Sequence, residues 1–154
     1  MTLPTPLQVQ RLLGRLLGDS PVLQKDARRP EVKRIEPSYA SVCLDDNGRP
    51  VAVMVADLHA ALFLGGKLMR KPMGGLEDEA EAGQASDGVV DALSEVFNNL
   101  TICFNQIKGN PHIRSQAADA GPEVIEASDW AEARRVDLTG DFLKGSGRLV
   151  LLAK

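Results

Sequence analysis

Between residues 88 and 108 the sequence GVVDALSEVFNNLTICFNQIK repeats its apolar residues with helical periodicity over the longest such run in the chain. At about 100° per residue, Val89, Leu93, Val96, Leu100, Cys103 and Ile107 fall on one side, flanked by Phe97 and Phe104. Asp91, Ser94, Glu95, Asn98 and Asn105 fall on the other, with Ile102 the one apolar intruder. The pattern predicts an amphipathic helix that buries its stripe and leaves Asp91, Glu95 and Asn98 in a row, one turn apart. A second helix is predicted near the N-terminus, where Val9, Leu12, Leu13, Leu16 and Leu17 recur at i, i+3, i+4, i+7 and i+8. Thr5 is its N-cap, Pro6 its first residue and Gly18 its stop, and Arg11 and Arg15 lie off the stripe, facing water.

Elsewhere the period shortens. Residues 32–36 (VKRIE) alternate as a strand would, and 39–44 and 50–55 flank Asp45-Asp46-Asn47-Gly48, an Asn-Gly hairpin signal. Asp57 is placed to cap a helix over LHAALFL, stopped by Gly65-Gly66. Residues 67–87 carry Met and Gly, then the acidic run LEDEAEAG, and predict a mobile surface loop. Short strands are predicted at 124–127, 134–138 and 148–152, with Gly145-Ser146-Gly147 as the turn into the last; 19–30 is a connection. The order is helix, strands, helix, helix, strands. It predicts one α+β domain over residues 1–154, layered, with a mostly antiparallel sheet.

Composition narrows the function. A chain of 154 residues with 44% hydrophobic and 25% charged residues is an ordinary single globular domain. A net charge of −3 and 4% aromatics argue against a nucleic-acid binder, which shows a basic surplus or stacking platforms. No apolar run reaches the length of a membrane span, and MTLPTPLQVQ lacks the layout of a secretory signal, so the expected location is cytoplasmic. Cys43 and Cys103 sit in apolar patterns that suit reduced, buried thiols. His59 and His112 have no partner at metal-ligand spacing, Gly65-Gly66-Lys67 lacks the rest of a phosphate loop, and the acidic run lacks calcium-loop spacing. The row on the central helix is therefore the one polar constellation that suggests chemistry. Spacing alone also allows a plain solvated face.

Asp91-x-x-x-Glu95-x-x-Asn98 resembles the D/S-x3-E-x2-N signature of the CheC/CheX/FliY phosphatases of bacterial chemotaxis. The context strengthens the resemblance. VAVMVADLHAALFLGG, an acidic linker and DGVVDALSEVFNN follow one another as strand, short helix, glycine stop and signature helix do in that family. With one motif and no second E-x-x-N in the first helix, the layout is similar to single-site CheX. The resemblance implies a CheX/CheC-like layered fold with a long exposed motif helix. It also implies removal of phosphate from the aspartyl-phosphate of a CheY-like response regulator. Asn98 would orient the attacking water and Glu95 would contact the regulator's lysine, with Asp91, Ser94 and Ile102 as support or partner contacts. No cofactor of its own is implied, the magnesium belonging to the regulator, and a homodimer is compatible with the family. Leu100, Thr101 and Ile102 follow the asparagine where the family often has small residues, and Pro122 only loosely matches a proline the family often places downstream. Ile102, an apolar residue in a polar row, suits an interface better than a water-positioning site and favours the alternative, a non-catalytic signalling or motor adaptor, or a self-associating module, of the same fold.

Overall fold

A computed structural model describes residues 1–19, 21–120, 130, 132–143 and 145–154. Helix α1 (Pro6–Leu17) begins as its sequence demands. The Thr5 side chain accepts from the Gln8 backbone N–H while the Gln8 side chain accepts from that of Thr5, a capping box that satisfies two otherwise orphaned donors. Gly18 closes the helix at φ 69°, a left-handed conformation that glycine adopts without steric cost.

The strands are β1 (Gln24–Asp26), β2 (Ser38–Asp45), β3 (Pro50–Asp57), β4 (Ile113–Ser115), β5 (Asp119–Ala120), β6 (Arg134–Phe142) and β7 (Gly145–Ala153). They form one sheet in the order β1-β6-β7-β3-β2-β4, with β5 also pairing β2, and every pairing is antiparallel. Between β3 and β4 come α2 (Leu58–Leu68), α3 (Met73–Ala82) and α4 (Asp87–Asn105). The α+β fold with a mostly antiparallel sheet, expected from the order of elements, is the one observed.

The sheet is buried on both sides. On the helix side, Tyr39, Cys43, Met54, Ala56, Leu138, Leu149 and Leu151 pack with Leu13, Leu62, Leu93, Phe97 and Phe104. On the other side Ala40, Val53, Val55, Val150 and Leu152 are covered by Ile35 and Trp130. Alternation along β2 and β7 thus divides two apolar cores rather than core from solvent.

Several local expectations are corrected. Residues 32–34 form a 3₁₀ turn, not a strand, because Val32 and Ile35 lie over the outer sheet face instead of pairing in it. Gly65 and Gly66 do not end α2, which runs on to Leu68. A Cβ at Gly65 would sit 2.3 Å from the Val89 carbonyl oxygen, and one at Gly66 2.5 Å from Leu76 Cδ2, so both glycines permit close packing. Most of 67–87, expected as a loop, is helical: α3 buries Leu76 and is tied by the Lys71–Glu79 ion pair. Gly145, Ser146 and Gly147 lie inside β7, which pairs with β6 down to Phe142↔Gly145. Residues 24–26, read as connection, supply β1. The strand expected at 124–127, like Pro122, lies outside the described residues.

Candidate functional site

Helix α4 packs its apolar stripe inward, with Val89, Leu93, Val96, Phe97, Leu100, Thr101, Cys103 and Phe104 buried. Its outward face follows from the same periodicity: Asp91, Glu95, Asn98 and Ile102 are all exposed, Ile102 at 40%. Ile107, placed on the stripe by extending the period, lies past the helix end and is only half-buried.

Both ends of α4 are anchored. Ahead of its start, the Ala85 N–H donates to the Tyr39 hydroxyl at 2.8 Å, and the Ser86 N–H donates to Glu79 Oε2 at 3.0 Å. At its end, Asn105 brackets Ile113, its amide donating to the Ile113 carbonyl at 3.1 Å and accepting from the Ile113 N–H at 2.9 Å. Asn110 donates to the carbonyls of Phe104 and Thr2. On one flank, Ser94 Oγ accepts from the Ala118 N–H at 2.9 Å and donates to the Val90 carbonyl. Buried polar groups satisfied in this way hold a helix to one position.

These bonds sort the polar residues of the helix into two sets. Ser94 and Asn105, predicted on the polar side, are spent on the fold, Ser94 as support for the 116–118 segment. Asn99 donates to the Glu95 carbonyl at 2.8 Å. The side chains of Asp91, Glu95 and Asn98 make no hydrogen bond or ion pair among the described residues. Of the adjacent amides Asn98 and Asn99, Asn99 has one N–H committed to the helix backbone, and Asn98 is the more exposed and has no side-chain bond among the described residues. Its i, i+3 relation to Glu95 puts the two on one side, separated by roughly one helical turn. The arrangement can offer an incoming group one anionic acceptor and one neutral amide that both donates and accepts.

Tyr39 and Asn105 are the residues that sequence reasoning undervalued. Their part in fixing α4 depends on contacts 46 and 8 positions away, which no local pattern reveals.

Neither cysteine offers a nucleophile to this face. Cys43 and Cys103 are free, buried thiols, pushed by burial up to about 12 and about 11. They are protonated at neutral pH. No group of three or more His, Cys, Asp or Glu among the described residues could hold a metal ion, and no described helix is long and apolar enough to cross a membrane.

No protein-family model and no curated protein matches the sequence. Solved structures do match the fold. A chain in the FliM–SpeE complex from H. pylori aligns at a TM-score of 0.69 with 10% identity, over 96% of this chain and 80% of that one. A chain in the CheX–CheY–BeF3–Mg complex from Borrelia burgdorferi aligns at 0.59 with 15% identity, over 95% and 92%. A CheC-like superfamily protein from Shewanella aligns at 0.58 with 11% identity, over 96% and 92%. The fold is of the CheC/CheX type. Within this CheC/CheX-type fold, α4 is the long exposed helix that the motif pattern anticipates. At these identities the likeness concerns the fold alone.

Proposed function

We propose that the protein is a cytoplasmic phosphatase acting on the aspartyl-phosphate of a CheY-like response regulator, in a chemotaxis-type pathway. The observation that carries this reading is Glu95 and Asn98 side by side, exposed and without side-chain partners among the described residues, on a helix anchored at both ends. The CheC/CheX-type fold and the likeness to a chain of a CheX–CheY complex support it.

The chemistry asks little of the protein. An acyl phosphate is already reactive, so catalysis consists chiefly of positioning water and complementing charge. Asn98 holds a water in line with the phosphorus. The water oxygen bonds to phosphorus, the bond from phosphorus to the aspartyl oxygen breaks, and the carboxylate leaves with the bonding pair. The water's proton ends on inorganic phosphate. Asn98 does this without changing protonation state. Glu95 meets the regulator's lysine and fixes the docked geometry, with Asp91 adding negative charge one turn earlier. Any magnesium sits on the regulator, and the chain contributes no cofactor.

The test is the lifetime of aspartyl-phosphate on the source organism's CheY-like regulators, with native protein and with Asn98→Ala. Native protein shortens it, and the variant loses about 100-fold of the acceleration, the scale expected when a reacting group is no longer positioned. Undiminished acceleration by Asn98→Ala would remove Asn98 from the mechanism.

A second reading is favoured by Ile102, whose exposure continues the row past Asn98, and by likeness to chains in FliM–SpeE and FliG–FliM complexes. In that reading the helix is a non-catalytic docking face for a signalling partner or a second copy. Saturable regulator binding without hydrolysis would select it.

A further inference from the structure

The row on α4 does not end at Ile102. Adding one turn to Asn98 and Ile102 gives Gln106, the C-cap of α4. Gln106 also lines a groove of about 420 Å³ between α1 and α4, together with Gln8, Arg11, Arg15 and Cys103. At 1.5 Å per residue, the groove opens about 12 Å along the helix from Asn98. A partner seated on Glu95 and Asn98 therefore covers Ile102 and reaches it.

The groove has the opposite charge to the row. α1 carries two arginines and no carboxylate, in a chain of net charge −3. Arg11 and Arg15 are exposed, one turn apart, and neither guanidinium makes an ion pair or hydrogen bond among the described residues. The Cys103 thiol in the groove is 4% exposed, donates to the Gln8 carbonyl at 3.7 Å and is protonated, so it adds no negative charge. The surface is thus bipolar: Asp91 and Glu95 call for a cation, and Arg11 and Arg15 call for carboxylates.

We propose that the α1–α4 groove is a second docking element, taking an acidic segment of the same response regulator whose lysine meets Glu95. This inference rests on the phosphatase or regulator-binding reading above. A single contact at Glu95 leaves the partner free to rotate about it; a second contact of opposite charge some 12 Å away fixes the angle. Arg11 and Arg15 are positioning residues here, not catalytic ones.

The experiment measures KM and kcat for regulator dephosphorylation across a salt series, with Kd in place of KM if the native protein binds without hydrolysing. The proteins are native, Arg11→Glu/Arg15→Glu and Arg11→Lys/Arg15→Lys. Both arginines are exposed, so the variants fold, which circular dichroism checks. Charge reversal raises KM or Kd about tenfold at low salt, leaves kcat at saturation within about twofold, and abolishes or inverts the loss of affinity with salt. The lysine variant retains near-native KM. Native activity or binding with an unchanged KM, or Kd, and salt slope in the reversed variant overturns the groove while leaving the regulator reading intact. Absence of both binding and hydrolysis with native protein overturns that reading, and the groove falls with it.

Discussion

On the sheet face away from the helices, Asp137 has no exposed side-chain surface and is gripped by Arg135 at 2.6 Å and Arg148 at 2.7 Å. Arg148 reaches on to Asp26 at 2.8 Å, and Asp26 is also bonded by Arg28. The same arginines donate to the carbonyls of Pro30 and Arg28, so the network clips the 26–30 segment onto β6 and β7. On α4, Asp91 and Glu95 stand in solvent with no cation paired to them among the described residues. Both regions carry two carboxylates, and they have been put to opposite uses. One set has its charge matched inside the fold, where removing a partner strands the rest. The other is left unmatched by the fold and is open to a cation from outside.

The largest effect should come from breaking the first set. Asp137→Ala leaves two arginines, each 14% exposed at the side chain, without their central anion. Removing one partner of a buried ionic network costs about 3–5 kcal/mol, here a fall in Tm of roughly 10 °C. Chemical denaturation measures it. A loss below about 1 kcal/mol would mean the network behaves as a surface feature, and the contrast with α4 would collapse.

The next effect concerns the mount of the second set. In Gly65→Ala the added methyl meets the Val89 carbonyl at 2.3 Å and must push α4 away from α2. Overpacking of this kind costs about 1–3 kcal/mol, against about 1 kcal/mol gained in helix propensity. A net loss of stability is expected. A variant more stable than native would show that the helices do not approach this closely.

A smaller effect separates the carboxylates by pH. Hydrogen bonds from Arg28, assisted by Arg148, hold Asp26 down from 3.8 to about 2 in the folded chain. Its folded-state value is depressed, so its contribution is complete above the unfolded value near 3.8 and is lost as pH falls toward about 2. Asp57 works in the other direction: burial outweighs its capping bond to Ala60 and raises its value, so it costs stability as it ionises. Stability measured from pH 5 to pH 2 should fall less steeply in Asp26→Asn than in native protein. Parallel curves would refute the assignment.

The contrast also explains what the sequence disclosed. Apolar period alone located α1 and α4, and Asn47-Gly48 located the β2–β3 hairpin, because these signals are local. Gly65-Gly66 misled because a glycine that ends a helix and one that lets another helix approach look alike until the neighbour is known. Residues 67–87 misled because acidic composition hid the single buried Leu76 that holds α3 down. Arg135, Asp137, Arg148 and Asp26 gave no motif at all, since their contact depends on the β1-β6-β7 order. At the candidate site, spacing placed Glu95 and Asn98 outward, but the bond from Asn99 to the Glu95 carbonyl and the greater exposure of Asn98 separate the two adjacent amides only in the structure.

The smallest effect is the sharpest test of the comparison. If Glu95 and Asn98 do nothing for the fold, the double substitution Glu95→Ala/Asn98→Ala should shift stability by no more than about 0.5 kcal/mol, as at any exposed position without partners. Alanine is the better helix former, so the shift should if anything be favourable. The same variant should lose its response to the regulator. Exposed side chains whose removal costs no stability but abolishes an interaction are held in place for that interaction. A loss near 2 kcal/mol would instead reveal internal partners, and the two sets of carboxylates would no longer differ in kind.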